Sequence, residues 1–329
     1  MTELSYPPAD GRTRRHLIGI TDLDRGGVER ILDTARSFES VLEREVKKVP
    51  TLRGRTVLNV FFESSTRTSS SFELAAKRLS ADTMSLKASG SSVDKGESLK
   101  DTIQTLAAYG PDVVVIRHGA IGAAQLTTRY TDAHVVNAGD GKHQHPTQCL
   151  LDLYTIQEAL GRLDGVQIAI VGDVMHSRVA RSNIEGFRMM GADVLLVGPP
   201  TLIPRGIEAT GARISHDIAD IAAADVVYVL RMQKERMEEG AAFVPSLREY
   251  TARWGVTRER ISPRQVVMHP GPMNRGVEIA PDVADAAQSL ILRQVQAGLV
   301  TRMAVLYDLV TRPYDEPVAA PVTAGTAAA

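Results

Sequence analysis

Short apolar runs that alternate with helical stripes are the feature that most constrains how this chain folds. Runs such as residues 113–116 and 226–230 have the length and the β-branched content of buried strands. Because a parallel strand pair needs a helical crossover, the alternation predicts parallel sheets. A glycine-flanked junction at residues 161–165 divides the pattern into two series. We therefore predict an α/β fold with two doubly wound parallel-sheet domains and an active-site cleft between them.

The same pattern predicts individual elements and domain limits. The expected strands are 56–62, 84–86, 113–116, 134–137, 166–171, 194–197, 226–230 and 266–268. The expected helices are one within 16–49 capped by Asp22, one from about 98, 147–160, 178–190, a weak one at 217–223, and 281–309 with a break at Gly298. The expected domains are 1–162, joined by a returning helix at about 293–312, and 163–292, followed by a disordered tail at 313–329.

A hydroxyl-rich turn joins the first predicted strand to a helix in the segment FFESSTRTSSSFE. The turn contains Ser65, Thr66, Arg67 and Thr68, and the helical stripe begins at Phe72. The first N–H groups of a helix have no partner inside the helix, and hydroxyl and guanidinium groups add donors for an oxyanion. Two interpretations stay open for the turn alone, which are a phosphate-type anion site and an ordinary helix cap with a solvated arginine.

Other polar side chains stand at or just past the ends of predicted strands. They are Arg117, His145, Arg178, Arg231 and His269. Open α/β sheets bind ligands at the carboxyl ends of their strands, so two such edges that face each other would form a binding cleft. A cleft rich in arginine and hydroxyl groups predicts small, strongly anionic substrates.

Composition argues against several classes of partner and compartment. The net charge of -1 argues against nucleic acid or an anionic membrane, and no apolar run reaches the length of about 20 residues that a membrane span needs. The amino-terminal residues lack the apolar core of a signal peptide. The single cysteine, Cys149, permits no intrachain disulfide and lies in an apolar run typical of a buried helix. We therefore expect a cytoplasmic protein without a cysteine nucleophile.

Cofactor motifs are missing from the places where they would be expected. The turn GDVMHS after residue 171 lacks the G-x-G-x-x-G pattern of dinucleotide sites, and the chain contains no P-loop motif. His143 and His145 form an H-x-H pair, but no third ligand stands at a spacing typical of a metal site. We expect neither a cofactor nor a metal, and we interpret His145 as a hydrogen-bond donor at a site.

Taken in order, the segments STRT, VIRH, GDGKHQHPTQ, RMQKER and HPGPMNRGVEI resemble the aspartate and ornithine carbamoyltransferase family. The resemblance runs from about residue 16 to residue 310, and the ordered set is far more specific than any one motif. It implies an enzyme that transfers a carbamoyl group from carbamoyl phosphate to an amine. The first domain would then bind carbamoyl phosphate and the second domain would bind the amino acid.

The resemblance also implies roles for individual residues. Those that match the family's contacts to carbamoyl phosphate are Ser65, Thr66, Arg67, Thr68, Arg117, His145, Gln148, Gly271 and Pro272. The turn at 65–68 would hold the phosphate, and Gln148 and the 271–272 carbonyls would contact the amide nitrogen. The implied catalytic residues are Arg67, Thr68, Arg117 and His145.

The second domain indicates the acceptor. Arg178, Arg231 and Gln233 match the family's aspartate site, and ornithine enzymes typically carry H-C-L-P where this chain has HPGP at 269–272. Two guanidinium groups suit the two carboxylates of L-aspartate, whereas the side chain of ornithine is cationic. The implied product is N-carbamoyl-L-aspartate, which belongs to de novo pyrimidine (UMP) biosynthesis.

A Gly/Ser loop carries two further matches, Ser91 and Lys95. Without the resemblance it would be interpreted as a solvated surface loop. In the family this loop enters the active site of the neighbouring subunit, and its lysine belongs to the aspartate site, which implies a homotrimer with shared sites. Regulatory chains or another pyrimidine-pathway enzyme stay open as further partners. Ser69 and Gly271 depart from the Arg of many relatives and the Leu of some relatives, respectively.

The implied reaction is attack by the aspartate amine on the carbonyl carbon of carbamoyl phosphate. Negative charge then develops on the carbonyl oxygen, where Thr68, Arg117 and His145 would stabilise it. The leaving phosphate is the expected proton acceptor. The alternatives are a carbamoyltransferase for ornithine or a succinylated ornithine, a non-catalytic scaffold for a partner enzyme and, less favoured, a NAD-dependent dehydrogenase.

Overall fold

The computed structural model describes residues 15–87, 96–233 and 246–312, which form two all-parallel sheets. The strands are β1 (Thr56–Phe61), β2 (Asp82–Lys87), β3 (Val113–His118), β4 (His134–Asp140), β5 (Gln167–Val171), β6 (Asp193–Val197), β7 (Arg213–Ser215), β8 (Val226–Val229) and β9 (Val266–Met268). The first sheet has the order β2-β1-β3-β4, and the second has the order β7-β6-β5-β8-β9. The predicted fold of two doubly wound parallel sheets is confirmed.

Helices connect the strands and cover the sheets. They are α1 (Arg25–Leu42), α2 (Thr66–Arg78), α3 (Leu99–Ala107), α4 (Ala123–Thr127), α5 (Pro146–Leu160), α6 (Arg178–Met189), α7 (Leu247–Trp254), α8 (Pro281–Ala284) and α9 (Ile291–Thr311). Among the described residues, none of these helices has the length and apolar character needed to cross a lipid bilayer.

The strands next to the functional residues are buried along most of their length. Val57, Val113 and Val115 have no exposed surface, as expected for central parallel strands that are covered on both faces. The register of β1 and β3 pairs Phe61 with Arg117. This pairing sets Arg117 beside the end of β1, where the hydroxyl-rich turn begins.

The predicted cap of the first long helix is wrong. Asp24 caps α1, because its Oδ1 accepts a hydrogen bond from the Gly27 N–H at 2.7 Å and its backbone is extended. Asp22 lies in a preceding 3₁₀ turn, and its Oδ2 accepts from the N–H groups of Ile18 and Gly19 instead. Asp22 and Asp24 are both suitable cap residues, and the 3₁₀ turn that contains Asp22 leaves Asp24 at the N-cap position.

The predicted helix at 281–309 is two helices, α8 and α9, and Gly298 does not break α9. A side chain at Gly298 would have its Cβ 3.3 Å from Leu151 Cδ2 on α5 and 2.6 Å from Arg302 Nη1. The glycine therefore permits close contact between α5 and α9. Two smaller differences are the strand β7, which the sequence pattern did not predict, and a 3₁₀ helix at Ile218–Ala223 in place of the weak helix.

One continuous apolar core joins the two sheets. It contains Leu150 and Tyr154 from α5, Ile170 from β5, Phe187 from α6 and Val305 from α9. At the carboxyl end of α9, Asp308 accepts hydrogen bonds from Arg15 and Arg30. The helices α5 and α9 are thus buried between neighbours, and both sheets share their packing.

Candidate active site

The turn after β1 does not form the cap that the simpler interpretation requires. Ser65 occupies the N-cap position of α2, yet within the described structure its side chain makes no capping hydrogen bond to the first turn. Thr68, one turn further, is only 7% exposed. Ser69 donates its hydroxyl to the Ser65 carbonyl at 2.6 Å. The anion-site interpretation of this helix start therefore gains support over the ordinary cap.

The turn after β9 lies directly against the turn after β1. Gly271 has a φ of +63°, and a Cβ built there would lie 3.1 to 3.3 Å from atoms of the Arg67 guanidinium group. A side chain at this position would be strained and would crowd Arg67. This contact brings the Gly271–Pro272 segment of the second sheet to the arginine of the first, and it gives a local reason for glycine here.

Glu63 joins an arginine from each sheet. Its Oε2 accepts a hydrogen bond from Arg178 Nη2 at 2.6 Å and lies 3.4 Å from Arg117 Nε. Arg117 also donates from Nη1 to the Ala138 carbonyl at 3.2 Å. A Cβ on Gly139 would lie 2.7 Å from Arg178 Nη1 and 3.3 Å from Arg117 Nη1, so the glycine makes room for both side chains.

Glu63 is a residue of the site that the sequence analysis did not select. The available signal was an acidic residue directly before the hydroxyl-rich turn that contains Arg67, at the end of a strand. Its side chain is partly exposed, whereas that of Arg178 is 3% exposed. A buried guanidinium needs a counter-ion or strong acceptors, and Glu63 supplies one across the cleft.

His145 stands where β4 leads into α5, and it is 4% exposed. Its backbone N–H donates to Ser182 Oγ on α6 at 2.8 Å, and the Ser182 hydroxyl in turn donates to Gln144 Oε1. Gln144 Nε2 donates to Glu185 Oε2 at 2.8 Å. These bonds hold the start of α5, which follows the first sheet, against the helix that follows β5 of the second.

Gln148 follows one turn later on α5 and is 8% exposed. Its Nε2 donates to Asp152 Oδ1 at 3.1 Å. Because a carboxylate only accepts hydrogen bonds, this contact assigns the orientation of the Gln148 amide. The carboxamide oxygen of Gln148 therefore faces away from Asp152 and remains to accept a hydrogen bond from another group.

The residues after β8 are supported by the GDVMHS turn. Asp173 Oδ2 accepts from the Gln233 backbone N–H at 3.3 Å, and Asp173 Oδ1 accepts from the His176 backbone N–H at 3.1 Å. Arg231 lies two residues before Gln233, close enough to act on Arg67. Partial desolvation and then repulsion from Arg231 lower the pKa of Arg67. Like charges gathered in this way favour binding of an anion.

The structure thus brings residues from both sheets to one region. Described members of the predicted site are Ser65, Thr66, Arg67, Thr68, Arg117, His145, Gln148, Arg178, Arg231, Gln233, Gly271 and Pro272. Ser91, Lys95 and residues 234–236 lie outside the described residues. Within the described ranges, no three His, Cys, Asp or Glu side chains are grouped so that they could hold a metal ion.

The fold and these contacts define a two-domain α/β protein in which arginines from the carboxyl ends of two parallel sheets meet. The chain belongs to the aspartate/ornithine carbamoyltransferase family. The family's carbamoyl-P binding domain matches residues 15–158, and its Asp/Orn binding domain matches residues 164–309. The resemblance drawn from the ordered motifs is therefore confirmed.

Individual relatives narrow the comparison. The chain is 56% identical over 301 residues to the aspartate carbamoyltransferase catalytic subunit of Pelotomaculum thermopropionicum, covering 90% of this chain and 97% of that protein. It matches the catalytic subunit of M. jannaschii aspartate transcarbamoylase with a TM-score of 0.79 and 36% identity, covering 90% and 98% of the two chains. It also matches Trypanosoma cruzi aspartate transcarbamoylase in complex with carbamoyl phosphate and aspartate, with a TM-score of 0.81, 30% identity and coverage of 92% and 98%.

Proposed function

We propose that this chain transfers the carbamoyl group of carbamoyl phosphate to the amine of L-aspartate, giving N-carbamoyl-L-aspartate and phosphate in pyrimidine biosynthesis. The observation that carries the proposal is the meeting of arginines from both sheets, with Glu63 between Arg117 and Arg178 and with Arg67 near Arg231. Two anionic substrates repel each other in water, and such a set of cations offsets the repulsion. The relatives that carry this activity share most of the chain's length.

The carbamoyl phosphate side of the proposal assigns the phosphate to the start of α2. The proposed contacts are Ser65, Thr66, Arg67, Thr68, Arg117, His145, Gln148, Gly271 and Pro272. Supporting features are the N-terminal position of the turn on α2, where a helix favours anions, and the contact between Arg67 and Gly271. The orientation of the Gln148 amide also suits the proposal, because its oxygen can accept from the NH₂ group of the substrate.

The acceptor side assigns the two carboxylates of L-aspartate to Arg178 and Arg231, with Gln233 as a third contact. Arg178 is nearly fully buried, so its charge is little screened by water. Bidentate guanidinium–carboxylate pairs fix orientation as well as charge. An acceptor with two carboxylates is therefore favoured over ornithine, whose cationic side chain would face these arginines.

The chemical step is attack by the amine nitrogen on the carbonyl carbon, followed by release of phosphate. Thr68, Arg117 and His145 donate to the carbonyl oxygen as negative charge develops there. Holding the two reactants in one geometry supplies a large part of the rate enhancement. The leaving phosphate accepts the proton of the amine, so the step needs no side-chain base, and the nucleophile is the amine of the substrate itself.

The assembly and location are also part of the proposal. Ser91 and Lys95 reach the active site of a neighbouring subunit in a homotrimer, and regulatory chains or another enzyme of the pathway are potential further partners. The buried free thiol of Cys149 suits a reducing, cytoplasmic compartment. The proposed domain limits are residues 1–162 with the returning helix at 293–312 for carbamoyl phosphate, and 163–292 for aspartate.

The activity is tested by measuring ureido product from carbamoyl phosphate with L-aspartate or L-ornithine as acceptor. We expect turnover with aspartate and none with ornithine, because Arg178 and Arg231 need carboxylate partners. Turnover with ornithine alone would overturn the acceptor assignment while leaving the phosphate site. The absence of turnover with either acceptor would favour a scaffold role.

The shared site is tested by subunit exchange between two inactive variants, Arg67→Ala and Lys95→Ala. If each site takes Arg67 from one subunit and Lys95 from its neighbour, random exchange restores both residues in roughly a quarter of the sites. We expect activity to reappear after exchange and not after simple mixing of intact trimers. No recovery in verified hybrid trimers would contradict the shared site.

A further inference from the structure

The carboxylate of Asp152 lies at the junction of both sheets and α9. Asp152 is fully buried on α5. Its four hydrogen-bond donors come from four elements and are Gln148 Nε2 (3.1 Å, α5), Asn183 Nδ2 (2.9 Å, α6), Tyr228 Oη (2.7 Å, β8) and Gln294 Nε2 (2.7 Å, α9). Two of these bonds reach each carboxylate oxygen, so the group is well satisfied as an anion.

The polarity of this carboxylate determines how two amides are turned. Gln148 and Gln294 both donate to Oδ1, so each must present its NH₂ group to Asp152 and its oxygen elsewhere. The oxygen of Gln294 accepts from the backbone N–H of His269 at 2.9 Å. The oxygen of Gln148 remains for a donor outside the cluster. Because Asp152 accepts from both NH₂ groups, it turns the oxygens of both amides away from itself, where they can accept hydrogen bonds from other groups.

The hydrogen bonds that begin at Gln294 continue into the turn after β9. His269 Nδ1 accepts from the Gly271 N–H at 2.8 Å, and its Nε2 lies 3.3 Å from Glu278 Oε1. Gly271 in turn lies against the Arg67 guanidinium. A chain of hydrogen bonds thus runs from Asp152 through Gln294 and His269 to the backbone that borders the phosphate turn.

We propose that Asp152 is a positioning residue for carbamoyl phosphate, because it orients the Gln148 amide on one side of the site and the His269–Pro272 segment on the other. The inference rests on the proposed function, since it assigns Gln148 and the 271–272 carbonyls to the amide end of that substrate. Asp152 acts only through these neighbours and donates nothing to the reaction itself.

The charged and titratable groups around Asp152 lie on α9, β8 and α5. Arg302 on α9 is the neighbouring cation, and Tyr228 on β8 and Cys149 on α5 face the same cluster. Burial raises the pKa of Asp152 to about 6, and its four donors oppose that rise. Protonation of Asp152 would add a donor where the two amides need an acceptor, which would favour a flipped amide.

The test compares the wild type with Asp152→Leu in steady-state kinetics over a range of pH. Leucine has the same branching as aspartate but accepts no hydrogen bond, so neither the Gln148 amide nor the Gln294 amide is then held by an acceptor. We expect KM for carbamoyl phosphate to rise about tenfold or more, with a fall in kcat. The ratio of wild-type to variant kcat/KM should decline as the pH falls through about 6, because the protonated wild-type carboxyl group no longer accepts from both amides.

Tyr228→Phe is the matched control, because it removes one donor to Oδ2 and leaves the acceptor for Gln148 and Gln294 unchanged. It should lower stability without reproducing the rise in KM. A merely structural role of Asp152 would give both variants similar kinetics and a pH-independent ratio, and that result would overturn the inference.

If Asp152→Leu does not fold, Gln294→Met tests the path through Gln294 and His269 alone. This variant keeps the side-chain length and removes the bonds to Asp152 and His269, so KM for carbamoyl phosphate should rise while KM for aspartate changes less. A folded Gln294→Met protein with wild-type kinetics would overturn the inference. Wild-type turnover measured in the same assay separates this outcome from failure of the proposed function, which would appear as no wild-type product.

Discussion

At the scale of single residues, Glu63 shows how the site balances its charge. The carboxylate of Glu63 follows β1, and the guanidinium of Arg178 begins α6 of the other sheet. Because the Arg178 side chain is 3% exposed, its position depends on the acceptors it meets inside the protein. The pair therefore orients an arginine of the proposed acceptor site across the cleft.

Glu63→Gln should raise KM for aspartate by about tenfold, because a hydrogen bond to a charged group typically contributes about 1.5–3 kcal/mol. Steady-state kinetics with aspartate varied at saturating carbamoyl phosphate would measure the change. The control is Glu73→Gln, which removes a carboxylate from an exposed pair with Lys77 on α2 and should leave both constants near wild type. An unchanged KM and kcat in Glu63→Gln would contradict the orienting role.

At the scale of elements, the crossing of α5 and α6 depends on one glycine and one thiol. Cys149 is fully buried on α5, and a Cβ on Gly186 of α6 would overlap its sulfur atom. The single cysteine of the chain is thus a packing residue in a helix contact. Burial also raises the pKa of the Cys149 thiol, which keeps it protonated and unreactive.

Gly186→Ala should destabilise the protein by about 1–3 kcal/mol, as overpacking of a close helix contact does. Cys149→Ala with Gly186→Ala should recover part of that loss, because the smaller side chain makes room for the new methyl group. Urea unfolding of the two single variants and the double variant would measure the coupling. Gly26→Ala, in an exposed turn of α1, is the control and should be neutral or stabilising by up to about 1 kcal/mol. Strict additivity would show that the two residues do not interact.

At the scale of the whole molecule, two buried ionisable groups should make stability depend on pH, and their effects run in opposite directions. Burial lowers the pKa of His269 below its ordinary value, and Glu278 opposes that change. The Gly271 N–H donates to Nδ1, so the neutral ring carries its proton on Nε2 towards Glu278. The stability that His269 contributes is therefore present above the unfolded pKa of about 6.5 and is lost as the pH falls towards the folded pKa. Asp152 has the opposite effect, because its pKa is raised on folding. The stability that it contributes is therefore lost as the pH rises through about 6.

We expect the free energy of unfolding to fall less between pH 7.5 and pH 5.5 in His269→Asn than in the wild type. The asparagine oxygen can replace Nδ1 as the acceptor for Gly271, and the side chain does not titrate. The two proteins should differ over this range, because the lowered pKa of His269 makes the unfolded chain take up a proton before the folded protein does. If urea unfolding gives the two proteins the same dependence of unfolding free energy on pH, His269 binds a proton equally well in the folded and unfolded states, which would contradict the prediction.

Much of the element pattern follows from the chain itself, and the exceptions are local. The strands at 56–62, 113–116 and 266–268 were predicted at nearly their observed positions, since central parallel strands are apolar along their whole length. The cap of α1 was assigned to Asp22 instead of Asp24, because both residues are good caps and only the 3₁₀ turn distinguishes them. The break at Gly298 was wrong, because helix packing stabilises a glycine that is unfavourable in an isolated helix.

By itself, the sequence determined the fold class, the strand ends that carry Arg117, His145 and Arg178, and membership of the family, because these depend on local periodicity and ordered motifs. Only the tertiary structure decided that Glu63 bridges two arginines, that Gly271 lies against Arg67, and that Asp152 joins four elements through its donors. These contacts join residues that are far apart in the chain, such as Glu63 with Arg178 and Asp152 with Gln294. Their partners depend on how two separately patterned sheets meet, and no local pattern encodes that geometry.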